Sequence, residues 1–185
     1  MAFERGSRWR LLGWGGAAAV LAVAAVAMQF TNEVAWTGAD FVVAAGMLAF
    51  VGIGLELSFR ASANRAFRLG AATGLTAAFL LFWSAGAVGV IGPETDPANL
   101  LYLGVIAIAV IGSLAALFRP RGASLAMAAA AVVQAAIGVV AIALGWGTED
   151  PLWPLDVAGA TIAFTTMWAL SAWLFHRSGK QPATA

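Results

Sequence analysis

Glu56 is the one acid that falls inside an apolar run, and Arg60 follows it at i+4. A carboxylate at membrane depth is a candidate proton or cation site. Glu followed by Arg one turn later is also the favourable order for an ion pair on a helix. Gln134 sits in the middle of another apolar run, where its amide needs hydrogen-bond partners that lipid does not supply. Thr161, Thr165 and Thr166 could line a polar stripe on the last helix. Glu56, Arg60, Gln134, Thr161 and Thr165 therefore form a candidate intramembrane polar site for a proton, a cation or a small solute. A second set is acidic. Glu33, Glu94, Asp96, Glu149 and Asp150 would draw cations to one face, and their oxygens suit weak contact with Ca²⁺ or Mg²⁺.

Other chemistry is excluded or unsupported. The chain has no Cys, which removes thiolates, disulfides and iron–sulfur clusters. It has one His, so a two-His metal site within one chain is excluded. That residue, His176, lies at the end of the last apolar run, where a cation suits a helix C-terminus. No HExxH, G-x-S-x-G, phosphate-binding loop or dinucleotide fingerprint occurs. Neither enzymatic activity, a cofactor nor a resident metal is expected, and no nucleic-acid partner.

The elements that carry these residues follow from composition. The chain is 62% hydrophobic and 10% charged, with a mean hydropathy of +0.88. That leaves too few charges to cover a soluble globule. The spacing predicts six spans, at 11–29, 40–58, 69–91, 99–118, 123–145 and 156–175. The connections alternate in charge. Arg5, Arg8, Arg10, Arg60, Arg65, Arg68, Arg119, Arg121, Arg177 and Lys180 all fall on one side of such a bundle. Seven of the nine acids fall on the other or at its edge: Glu33, Asp40, Glu94, Asp96, Glu149, Asp150 and Asp156. The positive-inside rule then puts both termini in the cytoplasm. An alternative is that the first run, with Ala25-Val26-Ala27, is a cleaved secretory signal.

Three spans look alike. They open on Asp40, Asn99 and Asp156 as N-cap types, and they close on Arg60, Arg119 and His176-Arg177 at nearly even spacing. At 1.5 Å per residue, about 20 residues of helix cross the hydrocarbon core. The expected fold is an all-α membrane protein, a six-helix bundle built as three helical hairpins in a single domain, 1–185. In it, GPETDPANLLYL is the outer turn of the second hairpin. Trp9, Trp14, Trp36, Trp146, Trp153 and Trp173 fall near the boundaries as an aromatic belt. Trp83 and Trp168 lie deeper, placed to pack between helices or touch a buried ligand. Gly70 and Gly74 would let helices approach closely.

The run GPETDPANLLYLGVIAIAVIGSLAALFRPRG resembles a widespread bacterial family of small polytopic inner-membrane proteins. In that family an acidic turn precedes a Pro-Ala-Asn-Leu segment and a helix ending in Arg-x-Arg/His-Gly. TNEVAWTGADFVVAAGMLAF is similar to its second helix. The resemblance covers most of 29–125. It implies a bacterial inner-membrane location and a helix count, and it supplies no catalytic residues. The expected function is a non-enzymatic accessory, assembly or stress-related component that acts through helix packing. Its partners would be the lipid bilayer and a membrane protein or second copy of itself. A small transporter or channel is the alternative.

Overall fold

In a computed structural model of the chain, residues 2–30 and 36–180 are described, with 2–10 and 12 by backbone alone. The regular structure among them is helical: α1 (Ala2–Ala27), α2 (Gly38–Ala61), α3 (Arg65–Ala87), a short 3₁₀ turn (Pro97–Leu100), α4 (Leu101–Ala115), α5 (Pro120–Leu144) and α6 (Leu155–Ser178). Gly38–Ala61, Arg65–Ala87, Pro97–Ala115, Pro120–Leu144 and Leu155–Ser178 are long and apolar enough to cross a membrane. The apolar stretch Gly13–Ala27 of α1 is shorter.

Local chemistry sets the ends. α3 begins ahead of the expected 69 because Asn64 caps it, its Oδ1 accepting from the N–H groups of Ala66 (2.8 Å) and Phe67 (3.3 Å). α5 begins on Pro120, whose missing N–H is one a helix start leaves unused. It ends at Gly145 in the left-handed region (φ 71°), with Trp146 N–H donating to Ala141 O at 2.8 Å. α4 ends less easily. Leu117 and Phe118 both take positive φ (50° and 55°), and Phe118 N–H donates back to Ser113 O.

The three expected N-caps are corrected. Asp40 lies inside the first turn of α2, and the cap is Thr37. Asp40 Oδ2 accepts from Thr37 N (2.6 Å) and Oγ1 (2.8 Å), while Asp40 N–H donates to Thr37 Oγ1 (3.4 Å). The pattern T-x-x-D is a reciprocal box in which the acid occupies the third position. Asn99 does not cap α4 either. Asp96 caps the 3₁₀ turn by accepting from Ala98 N–H (2.8 Å), and Asn99 turns back toward the preceding loop. Asp156 is one residue inside α6, which starts after Pro154 without a side-chain cap.

The chain divides into two compact units, Met1–Glu56 and Leu57–Ala185. In the first, Trp14 lies over Gly52, where an added Cβ would come within 2.9 Å of the indole ring. In the second, α6 packs along α5 and α3, while α4 lies against α5 and more lightly against α3. Residue pairs show these neighbours to be antiparallel. Gly70, early in α3, meets Leu174 and Phe175, late in α6, and Gly74 meets Ser171 and Met127. Gly112, late in α4, meets Ala126, early in α5. The basic ends of α3, α5 and α6 therefore gather together. There Arg68 donates to Ser62 O and Phe59 O and lies over the Phe59 ring, and Arg177 lies over Trp173. On α5, Leu125, Val132 and Val139 form an exposed apolar stripe, while Ala123, Ala130 and Ala141 are fully buried.

Candidate functional site

The core of the second unit is lined by small side chains: Ala77, Ala78, Ala109, Ala130, Ala131 and Ala141. Set among them are three large polar-bearing side chains, Tyr102, Gln134 and Trp168, each 0% exposed. None has a hydrogen-bond partner at Tyr102 Oη, at either amide atom of Gln134 or at Trp168 Nε1. The buried hydroxyls of Thr161 and Thr165 are also unpartnered.

Helix register brings these groups to similar depth. A Cβ on Gly138 would overlap Thr161, so α5 and α6 touch there. Equal counts along the two antiparallel helices bring Gln134 level with Thr165. The Gly112–Ala126 contact, counted the same way, brings Tyr102 level with Ala136, half a turn from Gln134. Trp168 lies about one turn further toward the basic end. Toward the acidic end, Asp156 continues the α6 line with a buried Oδ1 that also lacks a partner.

Of the expected intramembrane set, Gln134, Thr161 and Thr165 thus share one core. Thr166 is exposed and faces away from it. Glu56 belongs to the other unit, where its Oε1 accepts from Trp14 Nε1 at 2.9 Å. That bond was not legible in the sequence, because Trp14 reads there as a boundary aromatic. Arg60 closes the last turn of α2. Tyr102 was also missed, although the only Tyr of the chain, near the start of an apolar run, was a signal.

Toward the basic end of the same core two serine hydroxyls are satisfied, while Ser113 Oγ is buried without a partner. Ser171 Oγ donates to Gly70 O at 2.7 Å, and Ser124 Oγ to Ala172 O at 2.9 Å. Phe67 and Phe175 meet edge to face, with centroids 5.1 Å apart, and Met127 fills the space beside Gly74. This region is closely packed.

The acidic end is built from two touching turns. Gly92 (φ 62°) and Gly147 (φ 83°) meet backbone to backbone, and a Cβ on Gly147 would sit 2.8 Å from Gly92 N. The contact brings the turn carrying Glu94 and Asp96 beside the one carrying Glu149 and Asp150. Asp150 Oδ1 accepts from Leu152 N–H, so both it and Asp96 shape their own turns. Glu33 lies outside the described residues. Among the described residues, no three His, Cys, Asp or Glu converge to hold a metal ion.

Asn99, 4% exposed, staples the first of these turns. Its Oδ1 accepts from Val90 N (2.9 Å) and Ile91 N (3.0 Å), and its Nδ2 donates to Ile91 O (3.2 Å) and Pro93 O (3.0 Å). Compared with known proteins, the chain matches no family model, no curated protein and no solved structure.

Proposed function

We propose that the chain is a non-enzymatic, multi-pass protein of the bacterial inner membrane, with its six helices in three hairpins and both termini in the cytoplasm. It acts through helix packing, as an accessory, assembly or stress-related component, and belongs to the family its acidic turn and Pro-Ala-Asn-Leu segment resemble. The observation that carries this reading is the distribution of charge. In the second unit the charged side chains stand at the two ends, and the core between them is closed by Ala, Gly and neutral groups. Such a core favours close helix contact and lacks the convergent titratable groups that catalysis uses. Purification of the full chain in mild detergent, with identification of what co-purifies, tests it. A membrane-protein partner in fixed ratio supports the reading, and a monomer with a pH-dependent flux in proteoliposomes overturns it. For topology, a single Cys at position 96 should react with impermeant reagents from the periplasmic side only.

One observation favours the alternative, a small transporter. Unpartnered polar atoms run along α6 from Asp156 to Trp168. The closed region at Phe67, Met127 and Phe175 argues against a continuous pore. A flux that is lost in Glu56→Gln would reverse the ranking of the two readings.

A further inference from the structure

We infer that the core between Asp156 and Trp168 is an internal binding site for water, held by Tyr102, Gln134, Thr161, Thr165 and Trp168 at the depth of the bilayer interior. The inference does not rest on the accessory reading, since a scaffold and a carrier could both hold such a site.

The argument starts from cost. A neutral polar group buried without a hydrogen bond costs about 1–3 kcal/mol. Six such atoms lie on these five side chains, and one core would not carry them without a common partner. The side chains do not satisfy one another, although register places Gln134 level with Thr165 and near Tyr102. Groups at matched depth that fail to reach each other are the setting in which a bridging molecule serves. The chemistry of the site narrows what that molecule is. Every group is uncharged, which disfavours an ion. Tyr102, both Thr hydroxyls and the Gln134 amide offer donors and acceptors together, and Trp168 adds a donor. A ligand must therefore both give and accept hydrogen bonds, and be small enough to sit among the Ala side chains of closely packed helices. Water meets these conditions, and a buried water commonly makes about three such bonds. The carboxylate of Asp156 extends the file toward the acidic end, and the Phe67–Phe175 pair ends it at the other. Beyond that pair the unpartnered atom is Ser113 Oγ, so the polar groups are concentrated toward the acidic end.

Radiolytic hydroxyl-radical footprinting of the full chain in H₂¹⁸O tests this, because radicals formed inside a protein come from water held there. Tyr102 and Trp168 are compared with Phe67 and Phe175, aromatic side chains of similar burial in the closed region. We expect Tyr102 and Trp168 to take up ¹⁸O about ten-fold faster than the two Phe rings, as bound water beside them implies. Gln134→Leu combined with Thr165→Val should lower that uptake while leaving exposed Trp173 unchanged, which also reports that the fold is kept. Uptake at Tyr102 and Trp168 no faster than at Phe67 and Phe175 in the unaltered chain overturns the inference, whatever the variant does. So does uptake that persists in a folded double variant.

Discussion

Asn99 and Gln134 carry the same carboxamide, lie buried in the same helical unit, and live in opposite circumstances. Asn99 meets four backbone groups of one turn, and every hydrogen-bonding direction it has in use is matched. Gln134 meets none at either amide atom. The difference shows how position sets the role of one functional group. At a helix end the backbone has free N–H and C=O groups, so a buried amide becomes part of the architecture. In mid-helix the backbone is already paired, so a buried amide can only be answered by another side chain or a bound molecule.

The largest effect should come from the satisfied amide. Asn99→Leu strands Val90 N–H, Ile91 N–H and Ile91 O, while Pro93 O keeps the Asp96 N–H, and should cost roughly 4 kcal/mol as the sum of several buried groups left unmade. Asn99→Asp keeps the two accepted bonds and should cost less. Thermal unfolding in detergent gives both values, and a mild Asn99→Leu would show that the staple is dispensable. Next comes the turn that Asn99 holds. Gly147→Ala puts a side chain at φ 83° against Gly92 N, and should cost about 2–3 kcal/mol through strain and displacement of the neighbouring turn. If it melts like the parent, the two acidic turns are not coupled.

The unsatisfied amide should behave differently. Gln134→Leu removes a group whose burial is poorly rewarded, so stability should change by about 1 kcal/mol or less in either direction. A loss as large as that of Asn99→Leu would mean that Gln134 holds a structural partner, and the contrast would fail. The smallest effect should be a gain. Leu117 is exposed and held at φ 50°, so Leu117→Gly relieves left-handed strain and should stabilise by about 0.5 kcal/mol. A clear loss there would show that the Leu117 side chain itself matters to the α4–α5 turn.

The same contrast explains what could be read from the sequence. Helix count, the alternation of apolar runs with basic and acidic connections, and the depth of Gln134 are one-dimensional properties, fixed by where polar residues interrupt apolar runs. The roles of capping residues needed more. Thr37-x-x-Asp40 was present as a local pattern, yet the acid drew attention from the hydroxyl that caps. Asn64 was passed over because a connection rich in Arg reads first as topology. Asn99 could not be read locally, because its partners are backbone groups of the preceding turn, and backbone leaves no mark in residue type. The Trp14–Glu56 bond joins two different apolar runs, and neither run carries a sign of it. Tyr102 and Trp168 meet Gln134's level only through helix register, which depends on close contacts such as Gly138 with Thr161.

The seating of Gly70 and Gly74 of α3 on the last turns of α6 has a consequence for how the chain is made. Synthesis completes α3 long before Leu174 and Phe175 leave the ribosome. Until then Gly70 has no neighbour on α6, and Gly74 has only Met127 of α5 beside it. On the membrane reading proposed above, the N-terminal half waits in lipid, open to degradation or to a chaperone, and the final helix acts as the latch that ends this exposure. A chain stopped before Leu155 would therefore be cleared by membrane proteases while the finished one persists.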